Sequence, residues 1–329
     1  MKLVKDIGEQ GLLQKLQPFF PPGVVGDDGA ILDLDPKQKL VVTTDVLVDG
    51  VHFSDRTTSP LAVGWRSATA NLSDLAAMGA TPLGIIVGLA LPGELSVAWL
   101  EALYQGLNNC LKQYHTPIVG GDITRSATLT VAITAFGQVA PQNIIRRSNA
   151  RVGDAIIITG YHGLSKAGLE LLLNPQLANN LTSQEYELLI QAHQQPNPRL
   201  DLLPSLAAIS KTTAIAGMDS SDGLADAVSQ ICSFSGVGAV IDGKKLPIHP
   251  ILLKLGSLEQ ATSWTLFGGE DFELVLCLPL PLAASFMNSC RTSATIIGQV
   301  NSTEKVIFQP KNDPKPQEIS LKNSDFQHF

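Results

Sequence analysis

Cysteine is scarce in this 329-residue chain, and the four that occur, Cys110, Cys232, Cys277 and Cys290, are far apart. With no CxxC pair, neither a zinc centre nor a disulfide framework is expected, and reduced, mostly buried thiols are. Long basic runs are missing as well. The net charge is -7, which argues against a nucleic-acid surface and leaves phosphates to be handled through metal ions or a few placed basic groups. No apolar stretch approaches membrane-spanning length, and the opening "MKLVKDIGEQGLLQKL" lacks the apolar core and cleavage site of a signal peptide. A cytoplasmic location is therefore expected, with no membrane and no nucleic acid as partner. The common nucleotide signatures are also absent. No G-x-x-x-x-G-K-[ST] loop occurs ("GYHGLSKAG" has a lysine at the wrong spacing), no G-x-G-x-x-G follows a strand, and no H-R-D with D-F-G is present. Any ATP would have to be held through metal-bridged phosphates on another scaffold.

What is present is an ordinary folding composition, 44% hydrophobic and 16% charged, in a chain long enough for two domains. Val4 to Leu16 reads as an amphipathic helix ended by "QPFFPPG", and Lys39 to Asp45 as a β-branched strand. A helix starts at Pro60, runs through "PLAVGWRSATANLSDLAAMGA" and stops at "GATP"; another covers Ser96 to Tyr114. "TPIVGGD" reads as a strand entering a glycine turn, and Leu129 to Val139 as a strand. The polar stretch "PQNIIRRSNARVG" (Pro141 to Gly153) separates the halves, giving domains over 1–145 and 146–329. Beyond it, "DAIIITG", the strand into "MDSSDG", "GAVID", "FELVLCLP", "ATIIGQV" and "EKVIFQP" read as strands, with helices at "LSKAGLELLL" and Ala225 to Phe234. Both halves mix strands and helices, so the expected class is α/β (α+β).

Acidic residues recur at strand ends and glycine turns: "GDDGA" (Asp27, Asp28), "TTD" (Thr43, Thr44, Asp45), "NLSD" (Asn71, Asp74), "GGD" (Gly120, Gly121, Asp122), "MDSSDG" (Asp219, Ser221, Asp222) and "GGED" (Glu270, Asp271). Each alone suits a turn or helix cap as well as a ligand. Asp74 is harder to explain that way. Its helix is otherwise small and apolar and offers no cation beyond Arg66, so a carboxylate there needs a positive partner unless it faces solvent. Asn71 lies one turn earlier on the same face. Mixed carboxylate and hydroxyl oxygens suit Mg²⁺, which takes one or two carboxylates and completes its shell with water and phosphate. Scattered aspartates thus point to several Mg²⁺ ions bridging a polyphosphate. Glycines in "VGGD" and "FGGED" would let backbone approach an anion.

Taken in order, "GDDGA", "TTDVLVDGVHF", "NLSDLAAMGA", "GGDITR", "RRSNARVGD", "DSSDGL", "GGEDFEL" and the terminal "DFQHF" resemble the thiamine-monophosphate kinase family. That family belongs to the ATP-binding superfamily of aminoimidazole ribonucleotide synthase and selenophosphate synthetase. The resemblance implies a two-domain PurM-like fold, a homodimer whose N-terminal domains form a β-barrel-type interface, and ATP with several Mg²⁺ in the cleft between domains. It implies transfer of the ATP γ-phosphoryl to thiamine monophosphate, giving thiamine diphosphate and ADP. The implied Mg²⁺ ligands are Asp27, Asp28, Thr43, Thr44, Asp45, Asp74, Asp122, Asp219 and Asp222. Implied ATP contacts are Tyr104, Gly121, Asp122, Arg147 and Ser221; implied substrate contacts are His52, Glu270 and Phe326. Other ATP-dependent enzymes of the superfamily, and a non-catalytic Mg²⁺ or nucleotide sensor, are the alternatives. Against the selenophosphate reading, no cysteine precedes Cys110.

Overall fold

The computed structural model describes residues 2–22, 29–290, 293–312 and 315–319, folded into two compact units: Met1–Leu75 with Ala80–Val139, and Ala76–Gly79 with Ala140–Phe329. The first unit contains α1 (Val4–Leu16), β1 (Lys39–Val48), α2 (Pro60–Ala77), β2 (Thr81–Leu91), α3 (Val97–Gln113), β3 (Ile118–Arg125) and β4 (Thr130–Val139). Its sheet runs β1-β4-β2-β3. It is open, and among the described residues of one chain no barrel closes.

Alternation decides the two faces of this sheet. Ile85, Val87, Val131, Ile133 and Ala135 are buried and form one apolar face, while the other leaves Leu40, Val42, Val46 and Ile86 exposed. Two features escape a linear reading. The run "TPLGIIVGLAL" forms β2, a strand paired on both sides; without polar alternation it gave no strand pattern. "VGGD" does not turn but continues inside β3. A Cβ at Gly121 would lie 2.4 Å from the Val87 carbonyl, so the glycine serves close strand approach.

The second unit contains β5 (Ala155–Thr159), α4 (Leu164–Leu173), α5 (Ser183–Gln194), α6 (Leu203–Ser210), β6 (Ala216–Asp219), α7 (Leu224–Ser235) and β7 (Gly238–Asp242). It continues with α8 (Leu252–Leu255), α9 (Leu258–Phe267), β8 (Leu274–Leu278), α10 (Leu280–Ser289), β9 (Ala294–Asn301), β10 (Val306–Gln309) and β11 (Gln317–Glu318). The sheet order is β11-β10-β7-β9-β5-β8-β6. Ile156 and Ile158 of β5, with Val275 and Cys277 of β8, enter a core shared with α7. Their neighbours Ala155, Ile157, Leu274 and Leu276 enter a second core with α6 and α10. Burial on both faces explains why these strands are continuous apolar runs.

Helices α2 and α3 touch at two reciprocal glycines. A Cβ on Gly64 would sit 2.0 Å from the Leu103 carbonyl oxygen, and one on Gly106 1.9 Å from that of Leu61. Backbone cannot yield as a side chain can. Gly106→Ala should therefore destabilise the first unit by about 3 kcal/mol or more, and a denaturant midpoint equal to wild type would show that the helices separate freely.

Candidate active site

Thr43 and Asp45 lie two residues apart on β1, so both face the α2 side of the sheet. There the Thr43 hydroxyl donates a short hydrogen bond to the Asp74 carboxylate. Asp74, on α2, is only partly buried. The apolar helix thus supplies its carboxylate with a hydroxyl partner from the neighbouring strand. One turn earlier Asn71 is fully buried; its amide nitrogen donates to the Ser67 carbonyl at 3.1 Å, and its Oδ1 has no partner. His52 follows β1 in a turn where the Val48 N–H donates to its Nδ1 at 3.1 Å. Accepting there places the ring proton on Nε2, leaving that nitrogen as a donor.

Other expected members of this group are placed elsewhere. Thr44 is on the opposite face from Thr43, its hydroxyl donating to the Ile133 carbonyl at 2.9 Å. Asp122 is exposed on β3, in register with Gly88, Ala132 and Val46. That row belongs to the open face at the sheet's far edge, about 14 Å from β1 at three strand spacings. Asp122 therefore does not join Asp45 and Asp74 within one chain. Tyr104 is a core residue, 1% exposed, with Phe19 and Phe20 against its ring; burial pushes its hydroxyl above the ordinary range. It presents no surface to a nucleotide here. Asp27, Asp28 and Phe326 lie outside the described residues.

A second acidic group forms in the other unit. Asp219 ends β6 and is buried; Ser220 follows, with its hydroxyl oxygen buried and unpartnered. Ser221 is partly exposed and Asp222 exposed. Gly223, at φ 107°, redirects the chain into α7. Asp222 and Arg147 both act on Asp226, one turn into that helix. Burial is the main cause raising the Asp226 carboxyl; the Gln230 amide, donating to it at 2.6 Å, lowers it, Asp222 raises it again and Arg147 lowers it slightly. Arg147 also donates to Gln230 Oε1 at 2.6 Å and lies over the Phe234 ring.

The "GGEDFEL" segment closes on this group. Glu270 N donates to the Ser221 carbonyl at 2.7 Å. A Cβ at Gly269 would meet that same carbonyl oxygen at 2.6 Å, so this glycine makes room for backbone of the chain itself. Glu270 and Phe272 both take positive φ, at 65° and 53°. Asp271 and Glu273 are buried. Asp271 accepts from Gly163 N at 2.6 Å and Ser165 N at 2.9 Å. Burial pushes its carboxyl up to about 7 against those two bonds, with Glu273 and Glu270 adding to the rise. Sequence reading chose Glu270 for its resemblance and gave no role to Asp271 or Glu273; the missed signal is three acids within four residues beside an apolar strand.

Two family models match, the AIR synthase related protein N-terminal domain over residues 26–139 and its C-terminal domain over 151–311. A thiamine-monophosphate kinase from Synechococcus elongatus is 51% identical, over 99% of this chain and 98% of that protein. The chain belongs to the thiamine-monophosphate kinase family. The Aquifex aeolicus member is 34% identical over 95% of this chain and 98% of its own length. Among solved structures, the family member from Stenotrophomonas maltophilia superposes with a TM-score of 0.79 at 32% identity, covering 92% of this chain and 96% of that one. AaThiL complexed with AMPPCP and TMP gives 0.74 at 33%, covering 97% and 99%. Hydrogenase maturation protein HypE, at 18% identity and 0.70, shares the fold.

Arg147→Met should move the Asp226 titration upward, because a lowering influence is removed. Asp226 already binds protons more tightly folded than unfolded. Its contribution to stability is therefore greatest at low pH and is lost as pH rises through the folded value; the variant should keep it to higher pH. Carboxyl NMR titration with pH-dependent unfolding checks both, and an unmoved Asp226 would mean that Arg147 faces elsewhere.

Proposed function

We propose that this chain transfers the γ-phosphoryl of ATP to thiamine monophosphate, yielding thiamine diphosphate and ADP, with Mg²⁺ ions held by its aspartates. The carrying observation is the Thr43–Asp74 hydrogen bond where β1 meets α2, with Asp45 two residues along on the same face of β1 and an unpartnered Asn71 oxygen one turn before Asp74. Family membership and a solved relative bound to AMPPCP and TMP support the same reaction. Among the described residues no three His, Cys, Asp or Glu side chains gather to hold a metal alone. Mg²⁺ takes few carboxylates and shares its shell with water and phosphate. Asp45, Asp74 and Thr43 would hold it in the first unit, Asp219 and Asp222 in the second. When bound, Mg²⁺ neutralises charge on the polyphosphate as the acceptor approaches.

The chain's own part is placement. A phosphate-monoester acceptor is already ionised near neutral pH, so no general base is required. His52, with its Nδ1 engaged by Val48 N–H, is a hydrogen-bond donor to substrate through Nε2. Arg147 and Ser221 of the second unit are proposed nucleotide contacts, as is Gly121 of the first. Glu270 contacts thiamine monophosphate, and a cytoplasmic site of action follows from the sequence reading. Asp45→Asn and Asp74→Asn should each lower thiamine diphosphate formation at least ~100-fold while leaving the melting temperature near wild type. Each removes a ligand and also relieves charge repulsion. Unfolding of both would point to a structural role, and nucleotide binding without turnover in wild type would favour a sensor.

A homodimer belongs to this proposal. Leu40, Val42 and Val46 are about half exposed on the open sheet face, and the outer edges of β1 and β3 have no strand partner among the described residues. Both edges carry expected ligands. A second copy covering that face, with its β1 along β3, would bring Asp122 toward the partner's acidic strand and reconcile its isolation in one chain. Mixing inactive Asp45→Asn and Asp122→Asn chains should then restore one intact site per mixed dimer, about half of wild-type activity in that species. Mixed dimers that stay inactive would confine each site to a single chain.

A further inference from the structure

The Glu270 loop holds conformations that it would not keep alone. Two non-glycine residues, Glu270 and Phe272, sit in left-handed backbone on either side of Asp271, a conformation that side chains with a Cβ disfavour. Such strain persists only when surrounding structure over-determines it. Two carboxylates supply the restraint. Asp271 accepts the amides of Gly163 and Ser165 at the start of the ten-residue helix α4, whose N-cap glycine has no side chain of its own. Glu273 accepts from Arg199 Nε at 2.6 Å, from a second Arg199 nitrogen and from the Thr159 hydroxyl. Its carbonyl also accepts the Ser220 amide at 2.9 Å. The loop is thus fastened to α4 by Asp271, to β5 by Glu273, and to the "DSSD" turn by Glu270 N and the Glu273 carbonyl.

We propose that Asp271 is a positioning residue, with Glu273 as its support: the pair fixes the left-handed loop that presents Glu270 and ties it to Ser221, so that acceptor and nucleotide contacts are set by one clamped segment. This rests on the functional reading above for what Glu270 and Ser221 touch, but the clamp is a property of the chain itself. An amide cannot replace the Asp271 carboxylate, because one of its two acceptor oxygens becomes an NH₂ facing a backbone N–H. The loop would lose half its anchor on α4 while Glu270 keeps its side chain.

The test uses full-length Asp271→Asn and, should that variant fold poorly, Glu273→Gln. Hydrogen–deuterium exchange should quicken in the segments over 268–273 and 219–223 together, with β9 and β10 unchanged. Steady-state kinetics should show KM for thiamine monophosphate raised roughly tenfold and kcat changed less than about threefold. Folded variants with wild-type exchange at both segments would overturn the clamp. Faster exchange with an unchanged acceptor KM would overturn the positioning role, leaving Asp271 a helix cap. If wild type makes no thiamine diphosphate, the functional reading fails and the exchange result still decides the clamp.

Discussion

A carboxylate withdrawn from water must find a donor, a cation or a proton, and that requirement organises both acidic groups of this chain. It is met three ways. Asp74 takes the Thr43 hydroxyl across a strand–helix contact, Asp271 takes two amides at a helix start, and Glu273 takes the Arg199 guanidinium. In each case the donor comes from an element far away in sequence, so the charge is tolerable only after the fold is complete. The exposed Asp122 and Asp222 keep water as a partner and need no such arrangement.

The difference between satisfied and open carboxylates suits a phosphoryl-transfer site. Satisfied ones fix geometry before substrate arrives. Open ones keep negative charge, and on the proposed reading cations would neutralise it together with the phosphates. A site with every aspartate hydrogen-bonded would bind metal weakly; one with none would repel itself apart. Glycines at 64, 106, 121 and 269 act one level below, allowing backbone to approach backbone where a Cβ would collide. They let the scaffold pack backbone against backbone at these four positions.

The strained Glu270 loop adds a further layer. Left-handed backbone at two bulky residues costs free energy that the buried acids flanking it offset. Such strain is useful at a substrate contact, because it holds one conformation where a relaxed loop would sample several. It also explains an economy in the sequence, with three acids in four residues of which Asp271 and Glu273 are buried and act on the fold.

Composition, periodicity and motif order were enough to establish the α/β class, most elements and the family. The helix over Pro60–Ala77, the strand beginning at Lys39 and the strands β5 to β10 follow from local pattern, since apolar period and turn residues are properties of neighbours in sequence, whereas the two-residue β11 in the polar tail does not. The run that became β2 did not, because its residues are apolar on the exposed face as well as on the buried one, and a continuous apolar run suits a strand or a buried helix alike. Nor could residue order say which aspartates meet. Thr43 and Thr44 are adjacent in sequence yet face opposite sides of the sheet, Tyr104 is sealed beneath two phenylalanines, and Asp122 lies three strands from Asp45. Those outcomes depend on strand order and register, which are set by long-range pairing and by where the apolar face finds cover; only the tertiary structure decides them.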